Sequence, residues 1–554
     1  MTLAPFQSIA VIGAGTMGSG IAAQIANAGH HVLLLDLGAK NSTSKAPAVA
    51  ALDRLLASDP PQLMHKSYVD RITPGIIDED FDKLAGCDWI IEAVVERLDI
   101  KKSLYQRLHD TVGADCIVSS NTSTIPIRLL VEDMPTEFRQ KFAITHYFNP
   151  VRYMRLLELV RGTDTRDDVI DRLADFNDRV LGKGVVRCAD TPGFLGNRVG
   201  VYALQVGIDE AIRCGLSIED ADALMGRPMG IPKTGVFGLY DLIGIDLMAD
   251  VVTSLGTILP DGDAFHAVGG ANPMIAEMIA TGFTGDKGKG GFYMTDANGV
   301  RLARRLAGHT GDGLPPYGVA SKSVPKLAIA AAEAAARQDE PLLPIIDGPD
   351  PQVQFCRRVL ARVLHYAAVL IPDVTTNPQD IDDAMKLGFN WQRGPFEMID
   401  AIGSERFASL CDECGLSVPD IIADGSPTYS VSQRQLLVRH AGGARHPVNL
   451  PDGVMRFSLT RRTLTPVLSN DAASLFALEG NLRLIEFHSK ANALTDESRA
   501  THPAWQYRGL PQNREYPLFF NPQENTCLRF HNNLNTRLLE RDNFVPKIPC
   551  LNNN

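Results

Sequence analysis

The sequence has no cysteine pattern of the kind that holds a metal or builds a disulfide framework. Its nine cysteines are scattered over 554 residues, without CxxC pairs or the spacing of metal ligands. Scattered thiols are typical of a reducing compartment, so we expect a cytoplasmic protein without a metal site. The first predicted strand begins around Ser8, and we therefore expect no secretory signal before it.

Long apolar runs and an excess of positive charge are also missing. No run approaches the roughly eighteen apolar residues that a membrane span requires. The formal net charge is -11, so no overall basic field attracts nucleic acid or anionic lipid. An anionic substrate would need a local basic site. The remaining composition, 45% hydrophobic and 21% charged, is that of a globular protein with a sizeable core.

The N-terminal segment contains a glycine-rich turn between a short apolar run, Ile9–Ile12, and a segment with helical periodicity. This context is typical of a dinucleotide-binding fingerprint. Gly13 permits the tight turn, Gly15 lets the backbone approach a pyrophosphate, and Gly18 allows close packing of helix and strand. The pyrophosphate would lie at the helix N-terminus, where free N–H groups favour an anion. The loop residues predicted to bind the cofactor are Gly13, Gly15, Thr16, Met17 and Gly18.

An acidic residue, Asp36, closes the apolar run HVLLLD at the end of the second predicted strand. A carboxylate at this position suits the hydroxyl groups of the adenosine ribose. The same carboxylate repels a 2′-phosphate. The sequence therefore predicts NAD rather than NADP as the cofactor.

Strands and helices alternate over residues 1–188, which predicts an α/β Rossmann-type, doubly wound domain with a mainly parallel sheet. The candidate strands are Ile9–Ile12, His31–Leu35, Trp89–Ala93, Cys116–Ser119 and Phe142–His146. Residues 40–70 are polar and helix-like. We expect them to form an excursion from the sheet.

After the segment Asp190-Thr-Pro-Gly193 the pattern becomes helical. GVFGLYDLIG at 235–244 matches GPFEMIDAIG at 394–403, and SIEDADALM at 217–225 parallels NPQDIDDAM at 377–385. These matches predict a tandem repeat of one all-α module. The expected ranges are 189–297 for the first helical domain, 298–345 for a linker and 346–425 for the second helical repeat.

Polar side chains follow three of the predicted strands, at the edge where a doubly wound sheet binds its cofactor. The segments are Glu92-Ala-Val-Val-Glu96 with Lys101, Ser119-Ser-Asn121-Thr-Ser123, and His146-Tyr-Phe-Asn149-Pro150 with Glu158.

The third segment indicates a specific chemistry. Oxidation of an alcohol needs a base for the hydroxyl proton, and histidine is the usual choice. His146 ends a predicted strand, and Glu158 lies in the apolar run LLELV, where a carboxylate is costly to bury without a partner. A carboxylate bound to the second ring nitrogen would fix the tautomer of the base. The residues alone leave two other interpretations open, a structural histidine and a glutamate that faces solvent.

Five motifs occur together and in order, namely SNTST, HYFNP, RLLELV, DTPGFLGNR and KGGFY. With them, the chain from about residue 7 to 295 resembles the NAD-dependent 3-hydroxyacyl-CoA dehydrogenases of fatty acid β-oxidation. The helical repeat at 351–415 extends the resemblance. This layout is similar to the dehydrogenase part of the bacterial multifunctional β-oxidation proteins.

The resemblance implies roles for individual residues. It makes His146 the general base and Glu158 its orienting partner. It places Ser123 and Asn197 against the substrate oxygen, with Ser123 also near the nicotinamide. At the cofactor it also implies Asp36, beside the adenosine ribose, and Asn149, as a cofactor and active-site contact. It places Glu96, Lys101 and Lys287 around the nicotinamide ribose.

The C-terminal part has a weaker pattern. Residues 426–498 read as a connector followed by LIEFHSKANAL, which resembles the opening strand and first oxyanion-loop residues of the crotonase fold, around Ala491. The second oxyanion loop and the acidic residues of that fold are not recognisable, so the module looks truncated. Residues 499–554 are rich in asparagine and proline and aperiodic, and we expect disorder there.

The combined expectation is an NAD-dependent L-3-hydroxyacyl-CoA dehydrogenase. Its substrate would be an acyl-CoA, with no nucleic-acid partner and no membrane span. The family implies a homodimer or an assembly with other β-oxidation enzymes. Three alternatives stay open: a dehydrogenase of another β-hydroxyacid, a bifunctional protein with enoyl-CoA hydratase activity, and a cofactor-binding protein without turnover.

Overall fold

The computed structural model describes most of the chain. The described residues are 5–39, 45–306, 313–336, 340–450, 455–478 and 482–488, together with the backbone of three strands at 516–521, 526–529 and 537–538. Two units are distinguished. The first comprises Met1–Ala335, Glu340–Thr428 and His440–Ala444, and the second comprises Ala336–Asp339, Tyr429–Arg439 and Arg445–Asn554.

In the described residues, eight strands form one sheet in the N-terminal part of the first unit. They are β1 (Ile9–Ile12), β2 (Val32–Asp36), β3 (Ile72–Ile76), β4 (Trp89–Glu92), β5 (Ile117–Ser120), β6 (Phe142–Tyr147), β7 (Leu156–Arg161) and β8 (Gly184–Cys188). Their order is β3-β2-β1-β4-β5-β6-β7-β8. Neighbouring strands are parallel except for the antiparallel pair β6 and β7. The predicted Rossmann-type, mainly parallel sheet is confirmed.

Helices connect these strands. They are α1 (Thr16–Asn27), α2 (Pro47–Ala57), α3 (Ile77–Asp80), α4 (Leu98–Thr111), α5 (Ile127–Leu130), α6 (Thr136–Arg139) and α7 (Asp167–Arg179). The core lies between sheet and helices. Ile21 and Ile25 of α1 are fully buried there with Val11 of β1 and Trp89 of β4. Burial of this apolar face holds α1 against the sheet and fixes the turn that precedes it.

The sheet has three strands that were not among the candidate strands. β3 contains Pro74 and Gly75, which are rare inside strands, and it lies at the sheet edge, where proline is tolerated. It follows α2, so the helical excursion after β2 returns to the sheet. β7 and β8 complete the other edge, and β7 contains Glu158 in its centre.

The helical part of the first unit follows β8. Its first helices are α8 (Gly196–Arg213), α9 (Ile218–Leu224), α10 (Phe237–Ile243), α11 (Ile245–Ile258) and α12 (Pro273–Ala280). Next come β9 (Tyr293–Thr295), β10 (Arg301–Arg304), β11 (Tyr317–Val319), α13 (Lys326–Ala336) and α14 (Leu343–Ile346). The stretch 298–345, predicted as a linker, thus contains two strands of a small antiparallel sheet and two helices. The last helices are α15 (Pro351–Val369), α16 (Pro378–Gly388), α17 (Pro395–Ile402) and α18 (Ser404–Glu413).

The two copies of the sequence repeat share one local structure. In the first copy, Asp222 of α9 accepts hydrogen bonds from the N–H groups of Val236 and Phe237 at 2.7 Å. In the second copy, Asp382 of α16 accepts hydrogen bonds from the N–H groups of Phe396 and Glu397 at 2.7 and 3.2 Å. Each carboxylate therefore holds the start of the next helix, which explains why the repeat preserves an aspartate at this position.

The long helices of the two copies, α8 and α15, pack against each other. Glu210 of α8 is completely buried and accepts hydrogen bonds from Arg358 and Arg362 of α15 at 2.6 and 2.5 Å. Arg362 also binds Asp209 at 2.6 Å. In these three contacts the carboxylates lie on α8 and the guanidinium groups lie on α15.

Within the described residues, the second unit contains two sheets. Its elements are β12 (Tyr429–Ser432), β13 (Gln435–Arg439), β14 (Arg445–Pro447), α19 (Phe457–Thr460), β15 (Leu468–Ser469), β16 (Ala473–Ala477), β17 (Leu482–Phe487), β18 (Tyr516–Asn521), β19 (Thr526–Arg529) and β20 (Arg537–Leu538). The predicted strand of LIEFHSKANAL is present as β17. The oxyanion-loop residues around Ala491 lie outside the described residues. Most of the segment 499–554 also lies outside the described residues. Its described parts are the strands β18, β19 and β20, and the disorder expected for the rest stays a prediction.

Candidate active site

The glycine turn between β1 and α1 has the geometry that a dinucleotide requires. Gly13 has a φ of 104°, and a Cβ there would lie 2.4 Å from the carbonyl oxygen of Ala93. A Cβ on Gly18 would lie 1.7 Å from the carbonyl oxygen of Gly13. Beside Gly15, by contrast, a Cβ would meet no heavy atom within 4 Å. The turn is therefore closed towards the sheet at two glycines and open at the third, where a pyrophosphate would approach the start of α1.

Asp36 ends β2 next to this turn. Its carboxylate accepts hydrogen bonds from the backbone N–H groups of Ala14 and, at 2.6 Å, Leu37. Arg54 of α2 donates to the carbonyl oxygen of Ala14 at 2.7 Å. The structure thus brings Asp36 together with the glycine turn, as the fingerprint predicts. Thr16 and Met17 are the first two residues of α1.

A buried ion pair lies where β4 ends. Lys101 of α4 is 1% exposed and its Nζ lies 2.7 Å from Oε1 of Glu92 and 3.2 Å from Oε2 of Glu96. Tyr105 and Ser120 donate to the other oxygen of Glu92 at 2.5 and 2.6 Å. Burial and the neighbouring Glu92 carboxylate raise the pKa of Tyr105 well above its usual range. Lys101 is thus buried and paired with two carboxylates, the buried Glu92 and the partly exposed Glu96.

Glu96 connects this ion pair to the loop that follows β5. Thr122 and Thr124 both donate from their hydroxyl groups to Oε1 of Glu96, the latter at 2.9 Å. Burial raises the pKa of the Glu96 carboxyl, but the Lys101 ammonium and the two threonine hydroxyls outweigh burial and lower it overall. Ser123 lies between the two threonines and is partly exposed. Its loop is therefore attached to the end of β4 on both sides of the serine.

The predicted base and its partner meet across the antiparallel pair β6 and β7. His146 and Glu158 are directly opposed in the strand register, and Nδ1 of His146 lies 2.6 Å from Oε2 of Glu158. Glu158 is completely buried, and the His146 side chain is 7% exposed. Since Nδ1 contacts the carboxylate, Nε2 is the ring nitrogen available to a substrate. The register of a single strand pair explains why two residues far apart in sequence form this contact.

The other oxygen of Glu158 contacts the start of α8. Oε1 accepts hydrogen bonds from the backbone N–H groups of Leu195 and Gly196 at 2.8 and 2.6 Å. The partial positive charge of a helix N-terminus stabilises a carboxylate in this position. Asn197, the next residue, is half-buried in the first turn of α8. The structure therefore brings His146, Glu158 and Asn197 together.

Aromatic rings enclose His146. The ring centroids of Phe148 and Phe194 lie 4.6 and 5.8 Å from that of His146. Phe389, which follows α16 in the second repeat, lies 6.4 Å from Phe148. None of these phenylalanines was predicted as a site residue, although Phe148 belongs to the HYFNP motif and Phe194 to the DTPGFLGNR motif.

Two of the implied cofactor residues have fewer contacts with this cluster. Asn149 is exposed after the end of β6, beyond His146. Lys287 lies in the helical part, and its Nζ is 2.6 Å from Oδ1 of Asp246, whose pKa it lowers. The described contacts of Lys287 do not link it to Glu96 or His146.

Two other kinds of site are absent from the described residues. They contain no group of three or more His, Cys, Asp or Glu side chains placed to bind a metal ion. None of their helices combines the length and the apolar content needed to cross a bilayer.

Comparison with known proteins identifies both parts of this arrangement. Residues 8–191 match the family model described as 3-hydroxyacyl-CoA dehydrogenase, NAD binding domain. Residues 193–295 and 355–428 match the model described as 3-hydroxyacyl-CoA dehydrogenase, C-terminal domain. The second match falls on the two copies of the helical repeat.

Individual relatives agree with the family models. A Rickettsia felis protein named as a fatty acid oxidation complex trifunctional enzyme is 36% identical over 74% of this chain and 55% of its own length. A Deinococcus radiodurans protein named as a 3-hydroxyacyl-CoA dehydrogenase is 37% identical over 51% of this chain and 81% of its own length. The crystal structure of 3-hydroxybutyryl-CoA dehydrogenase from Escherichia coli is 25% identical with a TM-score of 0.51, covering 74% of this chain and 94% of that one.

The chain spans between 53% and 63% of the length of three of the curated relatives that it matches. Those three proteins therefore contain further sequence that is not aligned with this chain.

Proposed function

Because the chain belongs to the 3-hydroxyacyl-CoA dehydrogenase family, we propose that it oxidises L-3-hydroxyacyl-CoA to 3-ketoacyl-CoA with NAD in fatty acid β-oxidation. The observation that carries this proposal is the contact of His146 with Glu158 beside the start of α8. A base held by a buried carboxylate is what removal of a hydroxyl proton requires.

The residues present fit NAD. Gly13, Gly15 and Gly18 form the turn, which is open at Gly15, and Asp36 lies beside it for the ribose hydroxyls. When bound, the nicotinamide supplies the acceptor for the hydride that leaves C3 of the substrate. Glu96 and Asn149 line the edge where the nicotinamide ribose would lie. Lys101 contributes there by holding Glu96.

His146 performs the proton transfer. Nε2 takes the proton of the C3 hydroxyl, and the ring becomes an imidazolium while its Nδ1–H remains bound to Glu158. The buried carboxylate stabilises this positive charge and keeps the ring in one tautomer. Ser123 and Asn197 donate hydrogen bonds to the same substrate oxygen, which orients C3 for loss of the hydride.

We propose an acyl-CoA as the substrate and an assembly with other β-oxidation activities, or a homodimer, as the working form. The name of the Rickettsia relative, a fatty acid oxidation complex, supports the assembly. The seven described cysteines have free thiols, which supports a reducing compartment such as the cytoplasm.

The test is a coupled assay of NADH formation with L-3-hydroxyacyl-CoA substrates of several chain lengths. A His146→Gln variant should bind NADH normally and turn over about a hundredfold more slowly or worse, the scale of a lost general base. The matched control is His266→Gln, at an exposed histidine of the helical part. Turnover by the unmodified chain with a non-CoA β-hydroxyacid instead would overturn the substrate assignment.

A further inference from the structure

The loop that carries Ser123 is held at two points. Around the serine itself, Glu96 binds the hydroxyls of Thr122 and Thr124, the residues before and after Ser123. On its C-terminal side the chain enters α5, and there Asp190 accepts hydrogen bonds from two backbone N–H groups. Oδ1 lies 2.7 Å from the nitrogen of Ile127, and Oδ2 lies 3.1 Å from that of Arg128. Asp190 comes from a distant part of the sequence, two residues after the end of β8.

Asp190 also begins the segment that leads to Asn197. This segment has a constrained backbone, since Gly193 has a φ of 74° and the buried Phe194 has a φ of 48°. A Cβ on Gly193 would lie 2.6 Å from a side-chain carbon of Leu255. The far end of the segment is fixed where the N–H groups of Leu195 and Gly196 bind Glu158.

One short segment therefore joins three parts of the site. Its first residue holds the loop of Ser123. Its last residues bind the carboxylate that orients His146, and Asn197 follows at once. We propose that Asp190 is a positioning residue that sets the separation of Ser123 from Asn197, and so the position of the substrate oxygen relative to His146.

This inference rests on the proposed function, because it assigns Ser123 and Asn197 to one substrate oxygen. A shift of about 1 Å in such groups costs roughly a hundredfold in rate. The shift acts on the orientation of the reacting atoms, which affects turnover more than binding of the CoA part. Loss of Asp190 should therefore lower kcat and leave KM and the dissociation constant of NADH close to their original values.

The experiment is a double-mutant cycle in the full chain with Asp190→Ala, Ser123→Ala and the double variant. If Asp190 acts through Ser123, Asp190→Ala lowers kcat by about tenfold or more in the original chain and by less than about twofold in the Ser123→Ala background. Asp190→Asn keeps one acceptor oxygen and should recover part of the loss. It takes the place of Asp190→Ala in the cycle if the alanine variant does not fold.

The matched control is Asp296→Ala. Asp296 also accepts two backbone N–H groups, from Asn298 and Val300, but in an exposed turn outside the site, and its loss should leave kcat unchanged. Equal losses of kcat from Asp190→Ala in both backgrounds would show that the effect bypasses Ser123 and would overturn the inference. So would an unchanged kcat in Asp190→Ala. Absence of turnover in the unmodified chain is a different result, which overturns the proposed function.

Discussion

Glu158 has each carboxylate oxygen engaged, one with His146 and one with two backbone N–H groups at the start of α8. A completely buried carboxylate is tolerable only when its hydrogen-bonding capacity is used in this way. Its two roles need different chemistry. The backbone N–H groups need only an acceptor, whereas His146 needs a negative charge opposite its protonated ring.

Glu158→Gln separates these two roles. The amide oxygen can still accept from Leu195 and Gly196, so the fold should be retained. The amide NH₂ then faces Nδ1 and places the ring proton on Nε2, where no proton can be accepted. Turnover should fall by about a hundredfold or more, measured as NADH formation across a range of pH.

The control for Glu158→Gln is Glu132→Gln, at an exposed glutamate that binds Lys102. It should behave like the original chain. A pH–rate profile of Glu158→Gln that coincided with that of the original chain would contradict the pairing.

Asp36→Ala should narrow the preference for NAD over NADP. The variant loses the acceptor for the ribose hydroxyls and the charge that repels a 2′-phosphate. Since a hydrogen bond to a charged group contributes about 1.5–3 kcal/mol, kcat/KM for NAD should fall by roughly tenfold or more. The ratio of kcat/KM for the two cofactors is the measurement, with Asp53→Ala, at an exposed residue of α2, as the control. A wild-type chain that already preferred NADP would refute the assignment.

Residue identities could be predicted where a motif and a strand end coincide. His146 was identified in this way, whereas Glu158 was identified as a carboxylate within an apolar run. The register of β6 and β7 pairs the two residues. The burial of Lys101 could not be predicted, because a lysine three residues into a polar helix looks solvent-exposed in sequence. Its environment depends on Glu92, which is contributed by a different element.

At the scale of elements, the loop after β6 is held by a buried lysine. Lys183, just before β8, is 2% exposed and donates from Nζ to the carbonyl oxygens of Val151 and, at 3.0 Å, Met154. Burial, and to a smaller extent Arg155, lower the pKa of Lys183 to about 7. The unfolded chain, with an ordinary lysine, binds this proton up to a pH of about 10.

The free energy of unfolding should therefore depend on pH through the titration of Lys183. Between about pH 7 and 10 the unfolded state binds more protons than the folded state, so stability rises with pH, by up to about 1.4 kcal/mol per pH unit for one proton. Lys183→Met keeps the volume and removes the titration. The melting temperature of the original chain should thus rise relative to that of Lys183→Met from pH 7 to 10. If the difference in melting temperature between the two chains stayed constant over this pH range, it would contradict the lowered pKa of Lys183.

Elements could be predicted from sequence where their periodicity is strong, as in β1, β6 and α1. β3 was missed because Pro74 and Gly75 hide a strand that only its pairing with β2 reveals. The strands β10 and β11 were missed because they are short and separated by glycine- and proline-rich sequence. Pairing partners far along the chain are not visible in a local pattern.

At the scale of the whole molecule, every residue assigned to the site lies in the first unit. A chain that ends at Ala444 keeps the sheet, both helical repeats and the contact of Asp400 with the N–H of Thr428 at 2.7 Å. We expect it to keep the hydroxyacyl-CoA turnover of the full chain, measured at equal protein concentration. Loss of turnover in a soluble, folded truncated chain would show that the second unit supports the site.

The same two chains test the hydratase alternative. The crotonase-like segment at 482–494 has one recognisable oxyanion loop, and loss of one such donor costs roughly a hundred- to a thousandfold in comparable sites. We expect no measurable hydration of crotonyl-CoA by the full chain. Hydration that disappears on removal of residues 445–554 would contradict this expectation.

The tandem repeat could be predicted because both copies preserve the residues that start a helix. Asp222 and Asp382 occupy matching positions and accept hydrogen bonds from the N–H groups of the matching residues Phe237 and Phe396. Which surfaces of the copies meet could not be predicted, since the contact of α8 with α15 depends on residues that the repeat does not share.

The contact between α8 and α15 has a consequence for how its residues can change in evolution. Two identical helices related by a symmetry axis carry every substitution twice, so each must be acceptable on both sides at once. Here Glu210 lies on one helix, and Arg358 and Arg362 lie on the other, each encoded at its own codon. A substitution on α8 therefore leaves α15 unchanged, and a separate substitution on α15 can compensate for it. The pairing is also directional, because a second copy of α8 would not supply the two arginines that bind Asp209 and Glu210 here.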